Sequence, residues 1–170
     1  MNNTLENFEV KVAKIDDCNA IMKLLNDAAI WMVNKGITCQ WTPGNVFEDR
    51  PYFEEMIKTN SFYIVELDKK IIGTFLIRWT DEDIWGEDDG KAGYIHHLAI
   101  HRDYGSMGLG NELINWAQHL MKKNNKMYIR LDCVAKNELL NQYYLDRQFE
   151  FIKTYTYFDG VLGNLYEKML

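Results

Sequence analysis

Long hydrophobic runs are missing from this chain: nothing in its 170 residues approaches the roughly 18 consecutive apolar residues that span a bilayer, so no membrane segment is expected. A secretion signal is missing too, since Asn2, Asn3 and Glu6 stand where a charged-then-apolar leader would lie, and a cytoplasmic location is the expectation. Cysteine is scarce and odd in number. Cys18, Cys39 and Cys133 have neither metal-ligand nor redox spacing, so they read as reduced and structural, with no disulfide framework and no metal site. Positive charge is in deficit: 19 Lys and Arg against 25 Asp and Glu give a net charge of −6, which disfavours nonspecific binding to nucleic acid or an anionic membrane. Neither is expected as a partner. Repeats, linkers and low-complexity tracts are also absent, and the length suits one domain over residues 1–170 with a sizeable core.

What is present is organised around residues 98–111. Residues 94–100 are apolar and aromatic enough for a buried strand, and Leu109, Leu113, Trp116, Ala117, Leu120 and Met121 then recur at helical spacing. Between them lie Gly105, Gly108 and Gly110. Glycine permits close approach to the main chain, and the first turn of a helix presents N–H groups without intrahelical partners, together with a partial positive charge. Such a turn is an anion site that would fit a pyrophosphate. Two familiar phosphate loops do not match: there is no Gly-Lys-Ser/Thr ending, and Gly105-x-x-Gly108-x-Gly110 reverses the dinucleotide fingerprint.

The rest of the chain alternates strand and helix patterns. Residues 8–14 read as a strand, followed by a helix striped by Ile21, Leu24, Leu25, Ala28 and Met32 and closed at Gly36. After a turn at Trp41 to Gly44, residues 51–58 read as a short helix; residues 62–67 and 71–79 read as a hairpin across Asp68-Lys69. Residues 80–91 form a loop with six carboxylates: Asp81, Glu82, Asp83, Glu87, Asp88 and Asp89. This is a solvated excursion, a negative rim that draws in a cationic amine past Trp79 and Trp85, or both. A strand at 127–134, a helix at 137–147 and a hairpin of 149–158 with 165–169 complete the order. The expected class is α/β (α+β), with a mixed, mostly antiparallel twisted sheet and helices on both faces.

Two motifs resemble the GNAT acetyltransferase superfamily. Its acetyl-CoA pyrophosphate loop reads Gln/Arg-x-x-Gly-x-Gly/Ala after a strand ending in Leu-Ala-Val-like residues; here Leu98-Ala99-Ile100 precedes Gly105-Ser106-Met107-Gly108-Leu109-Gly110. Gly105 stands where the family has Gln or Arg. The second motif runs from Asn137 to the Tyr143-Tyr144 pair seven residues on and then to Gln148-Phe149, with Gln148 in place of the family's glycine. The order of elements from about residue 8 onward is similar as well.

The resemblance implies an acetyl-CoA-dependent N-acetyltransferase, with acetyl-CoA as co-substrate in a gap between the strands at 94–100 and 127–134. Main-chain groups at Leu98, Ala99 and Ile100 would pair with the pantetheine arm, the amides of Gly105 to Gly110 would hold the pyrophosphate, and Asn137 would bond the arm. Tyr144 would be the general acid beside the cofactor sulfur, while Tyr143 reads as core. The base is open among His96, Asp132 and water. Imidazole titrates near 6.5, and strand alternation puts His96 with Tyr94 and Leu98 on one face and His97 on the other unless a bulge shifts the register. Asp132 matches a carboxylate of some relatives. The expected acceptor is the primary amine of a small molecule, attacking directly in a ternary complex, and Trp31, Trp41, Trp79 and Trp85 hint at a closed pocket. A protein N-terminal or lysine acetyltransferase and a noncatalytic acyl-CoA sensor are the alternatives, and a homodimer is left open.

Overall fold

The structure is a computed structural model that describes residues 8–37 and 41–170, so Cys39 lies outside the described residues. The first part of the chain forms β1 (Glu9–Val12), α1 (Cys18–Asn34), a single turn α2 (Asn45–Glu48), α3 (Arg50–Lys58), and the hairpin of β2 (Phe62–Leu67) and β3 (Lys70–Arg78). A second single turn, α4 (Glu82–Trp85), interrupts the acidic loop. It is followed by β4 (Ala92–Ile100), α5 (Leu109–Lys123), β5 (Tyr128–Val134), α6 (Glu138–Leu145) and the hairpin of β6 (Glu150–Thr156) and β7 (Leu162–Met169). The seven described strands form one sheet in the order β1-β2-β3-β4-β5-β7-β6. Only β4 and β5 run parallel; the other five neighbouring pairs are antiparallel.

Each face of the sheet is closed by helices whose apolar stripes were legible in the sequence. On one face Ile21, Leu24, Leu25 and Ala28 of α1, with Phe53 and Ile57 of α3, pack on Phe62, Ile64, Leu76 and Ala99. On the other, Leu109, Leu113, Ala117 and Met121 of α5 pack on Ile77, Ile95, Ile129 and Leu131. Trp116 and Leu120 are half-buried at the edge of that stripe. The β2–β3 turn lacks glycine, yet Asp68 and Lys69 have φ of 49° and 63°, the left-handed pair that a two-residue hairpin turn demands. Cys18 and Cys133 are free and buried, in keeping with structural thiols. None of the described helices is long and apolar enough to cross a membrane.

The placement of α6 depends on a buried amide. Asn141 Nδ2 donates to the carbonyls of Val134 at 3.0 Å and Asn137 at 2.8 Å, and its Oδ1 accepts from Asn164 Nδ2 at 2.8 Å and the Tyr166 hydroxyl at 2.7 Å. One side chain thereby fastens α6 to the ends of β5 and β7. Asn141→Leu keeps the volume but leaves several of these groups buried without partners, at about 1–3 kcal/mol each. The expected outcome is a loss of about 3 kcal/mol or more in urea unfolding with an unchanged m-value, and Asn141→Ser should recover only part of it.

Candidate active site

The site exists because β4 and β5 part. Their parallel register runs from Ala92↔Tyr128 to Ile95↔Leu131 and stops there, although β4 continues to Ile100 and β5 to Val134. Beyond that point opens a cleft of about 1200 Å³, walled by Leu98, Ala99 and Ile100 on one side and Asp132 and Val134 on the other. Opposite β3 the same stretch of β4 bulges: Thr74 pairs with Ala99 but Leu76 with His96, leaving one extra residue on β4. The bulge is centred on His97, whose φ is 51°.

This bulge corrects the simple alternation. His96 and Tyr94 do share a face, but His97 joins them there and Leu98 turns to the α5 side, where it packs against the core. His97 sits among the rings of Trp41, Tyr52, Phe53 and Phe62, at centroid distances of 6.4, 5.8, 5.4 and 5.9 Å. Removal from water, with the charge of His96 beside it, pushes its pKa down to about 3, so it is a neutral packing residue at physiological pH.

The glycine turn closes one end of the cleft. Gly108 caps α5 with φ of 80°, in the left-handed region that disfavours any residue with a Cβ. Among the described residues no protein acceptor meets the main-chain N–H groups of Ser106, Gly108, Leu109 and Gly110, whereas those of Asn111 and Glu112 bond to the Gly108 carbonyl. Gly105, Ser106, Gly108 and Gly110 line the cleft; Met107 does not, and the fully buried Leu109 side chain belongs to the core, so Leu109 can meet a ligand only through its main chain. Unpaired amides at the start of a 15-residue helix, facing a groove beside two diverging strands, fit a pyrophosphate with a pantetheine arm. Asn137 borders the groove and caps α6, its Oδ1 accepting from the Leu140 N–H at 3.3 Å.

Where the strands part, a chain of polar groups crosses the cleft floor. Arg78 Nη1 donates to Asp81 Oδ1 at 2.9 Å, and Asp81 Oδ2 lies 3.2 Å from His96 Nε2, a close ion-pair contact not aligned as a hydrogen bond. His96 Nδ1 lies 3.9 Å from Asp132 Oδ1, and the Tyr157 hydroxyl donates a short hydrogen bond to Asp132 Oδ2. Burial pushes the Asp132 carboxyl above its ordinary range, against the opposing pulls of His96 and Tyr157. The ring of Tyr157 reaches Asp132 across Gly163, where any Cβ would collide with it. One atom each of Asp81, His96 and Asp132 fall within 4.8 Å of one another, so the fold assembles three groups of metal-ligating type that no local spacing announced.

Tyr144 and Tyr143 both line the cleft. Tyr144 is the deeper, 6% exposed, with its ring among Tyr143, Phe149 and Tyr166, and burial pushes its phenol well above the ordinary value. Tyr143, expected in the core, is half-buried beside Gly110 under the Arg147 guanidinium, which stands 3.4 Å from its ring centroid.

The acidic loop also departs from expectation. Asp81 is fully buried in the polar chain, so it belongs to no surface rim. Trp79 and Trp85 do not line the cleft: Lys126 lies 5.6 Å from the ring of the first and Arg130 4.8 Å from the second, so the protein's own cations hold those faces. The tryptophans at the cleft are Trp31 and Trp41. Asp81 and Tyr157 escaped the sequence reading. An Arg78–Asp81 pair three residues apart at a strand end was a visible signal for the first; nothing local pointed to the second.

The profile of the acetyltransferase (GNAT) family matches residues 21–151. The chain belongs to that family and is an acetyl-CoA-dependent N-acetyltransferase. It is similar to the uncharacterized N-acetyltransferase YesJ of Bacillus subtilis (strain 168), with 27% identity over 153 residues, 86% of this chain and 84% of that protein. A GNAT-family acetyltransferase from Listeria monocytogenes 4b F2365 shares 30% identity and superposes with a TM-score of 0.76 over 96% of this chain and 95% of the other. The PaiA N-acetyltransferase of Thermoplasma acidophilum, solved in complex with coenzyme A, shares the fold at 15% identity, with a TM-score of 0.74 over 96% and 99% of the two chains.

The depressed pKa of His97 makes folding sensitive to acid. Below about 6.5 the unfolded chain takes up a proton that the folded chain refuses until about pH 3, so the stability present at neutral pH is lost as pH falls through that window. Between pH 7 and pH 5 the loss from this group amounts to about 2 kcal/mol. His97→Phe starts less stable, because φ of 51° suits Phe poorly, but its urea midpoint should fall less steeply over the same pH range.

Proposed function

We propose that the chain transfers the acetyl group of acetyl-CoA to the primary amine of a small molecule, by direct attack in a ternary complex. The observation that carries this reading is the meeting of His96, Asp132 and Tyr144 in one cleft, where the strands part and the unpaired amides of Ser106, Gly108, Leu109 and Gly110 begin. When bound, acetyl-CoA supplies an activated acyl group and a thiolate leaving group. The main chain of Leu98 to Ile100 would hold its arm, and the amides of Gly105 to Gly110 its pyrophosphate.

The remaining work is proton movement by the chain's own groups. An amine arrives protonated and must lose that proton before it attacks. His96 takes a proton on Nδ1, the nitrogen toward the Asp132 side of the cleft, while Asp81 stands at Nε2 and stabilises the imidazolium from behind. Asp81 is a positioning residue in this scheme, and Arg78 fixes it in place by donating to its other oxygen. Tyr144 gives its proton to the departing sulfur and is reprotonated from solvent. Burial keeps the phenol protonated at neutral pH, so its proton is in place, and the same upward push makes it a weaker acid that gives the proton up only as charge builds on the sulfur. The carboxylates Asp49, Asp132 and Asp159 line the cleft, and its cationic side chains, Arg102 and Arg147, lie beside Gly105 and Tyr143. The carboxylates outside the Arg102 and Arg147 contacts favour a cationic acceptor.

Release of free thiol from acetyl-CoA across a panel of amines, polyamines, amino acids and aminoglycosides tests the reading. Tyr144→Phe should lower kcat by about 10² to 10⁴ with little change in cofactor affinity. His96→Gln should lower kcat/KM for the amine most at neutral pH and least at high pH, where free amine no longer needs a base; Asp81→Asn should move the same profile in the same direction by less. Full activity in the Tyr144 and His96 variants would remove both from the mechanism.

The same cluster gives a further expectation. Dialysis against EDTA should leave the rate unchanged, because Arg78 already offsets the charge of Asp81. Loss on chelation that Zn²⁺ restores would make Asp81, His96 and Asp132 a metal site instead.

A further inference from the structure

Glycine at position 105 is not there for its backbone freedom. Its φ of −64° and ψ of −26° lie in the right-handed region open to any residue. What a side chain there would meet is Arg102: a Cβ would stand 3.0 Å from Nη2 and 3.4 Å from Cζ of that guanidinium. Arg102 begins the single helical turn Arg102–Tyr104 and folds back over the glycine loop. Its Cζ lies 3.6 Å from the centroid of the Trp31 ring, so a residue of α1 stacks on the guanidinium. Both residues line the cleft, alongside Ser106, Gly108 and Gly110.

The guanidinium carries a full positive charge. Among the described residues no carboxylate forms an ion pair with it, and the adjacent Asp103 leans instead toward His101 at 3.7 Å. Partial removal from water lowers its pKa with no opposing contribution. A cation stacked on an aromatic ring keeps its N–H edge for hydrogen bonding, and a planar guanidinium edge suits phosphate oxygens.

We propose that Arg102 binds a phosphate of coenzyme A, supplying from three residues upstream the side chain that the family places at position 105. This rests on the acetyl-CoA reading above and adds a residue to it. Gly105 then fits the arrangement: a side chain there would have to displace the Arg102 guanidinium from the place it occupies, 3.0 Å from where a Cβ would stand. Trp31 holds the guanidinium in place, so α1, which also lines the cleft through Ala28 and Met32, takes part in holding the cofactor.

Calorimetry with coenzyme A, 3′-dephospho-coenzyme A and acetyl-pantetheine tests this without relying on turnover. Arg102→Ala should weaken coenzyme A binding about tenfold to a hundredfold and flatten its salt dependence, leaving the phosphate-free acetyl-pantetheine unaffected. Retention of the Arg102→Ala effect with the dephospho ligand assigns the contact to the pyrophosphate, and its disappearance there assigns it to the 3′-phosphate; both support the proposal. Gly105→Arg placed in the Arg102→Ala protein should restore most of the affinity, whereas Gly105→Arg alone should not improve on the wild type. A folded Arg102→Ala protein that binds coenzyme A as the wild type does overturns this proposal alone. A wild-type protein that binds no coenzyme A overturns the acetyl-CoA reading on which it rests.

Discussion

The interruption of the ladder between β4 and β5 is the constraint on which the site depends. A parallel pair needs a long crossover, and α5 provides it, packing against the sheet through Leu113, Ala117 and Met121. That packing holds the two strands together as far as Ile95 and Leu131, after which the register ends while both strands run on. Main-chain groups facing such a gap lack the neighbour that a continuous sheet would supply. An extended ligand that bonds like a strand fits there, and the start of α5 at the mouth of the gap adds the unpaired amides that suit its phosphates.

The bulge on β4 and the gap beside it are linked. One extra residue opposite β3 lets His96 and His97 share a face, and the two receive opposite treatment. His97 is enclosed by aromatic rings and loses its ability to hold a proton near neutral pH. His96, one residue earlier, lies between two carboxylates at 3.2 and 3.9 Å. Neighbouring histidines of identical intrinsic chemistry thus have different surroundings, aromatic rings for one and carboxylates for the other. The buried carboxylates that flank His96 are tolerable because each has its own donor, Arg78 for Asp81 and Tyr157 for Asp132.

Much of the sheet order was legible because its signals are local. Apolar stripes at helical spacing gave α1 and α5 their buried faces, and paired β-rich runs gave the β2–β3 and β6–β7 hairpins, although β7 begins at Leu162, three residues before the run that marked it. The acidic run at 80–91 misled, since charge density by itself does not distinguish a solvated carboxylate from Asp81, buried against Arg78 and His96. Tryptophan content misled for two rings of four: Trp31 and Trp41 line the cleft, whereas Trp79 and Trp85 are covered by Lys126 and Arg130, cations far away in the chain.

The sequence by itself determined the family, the glycine turn before α5, the Asn137-to-Tyr144 helix and the strand carrying His96, because each is written in residues a few positions apart. Tertiary structure decided what those residues do together. That His96 and His97 share one face depends on how β4 registers against β3, a pairing to which both strands contribute. Whether Asp132 is a lone carboxylate or one end of a chain running through His96 to Arg78 depends on a hairpin that brings Tyr157 across Gly163. Whether glycine at 105 is a loss or an exchange depends on Trp31, some seventy residues earlier, whose ring holds Arg102 in the vacant space. Side-chain periodicity is a short-range property of the chain, whereas solvation and charge at a site are set by every element packed around it.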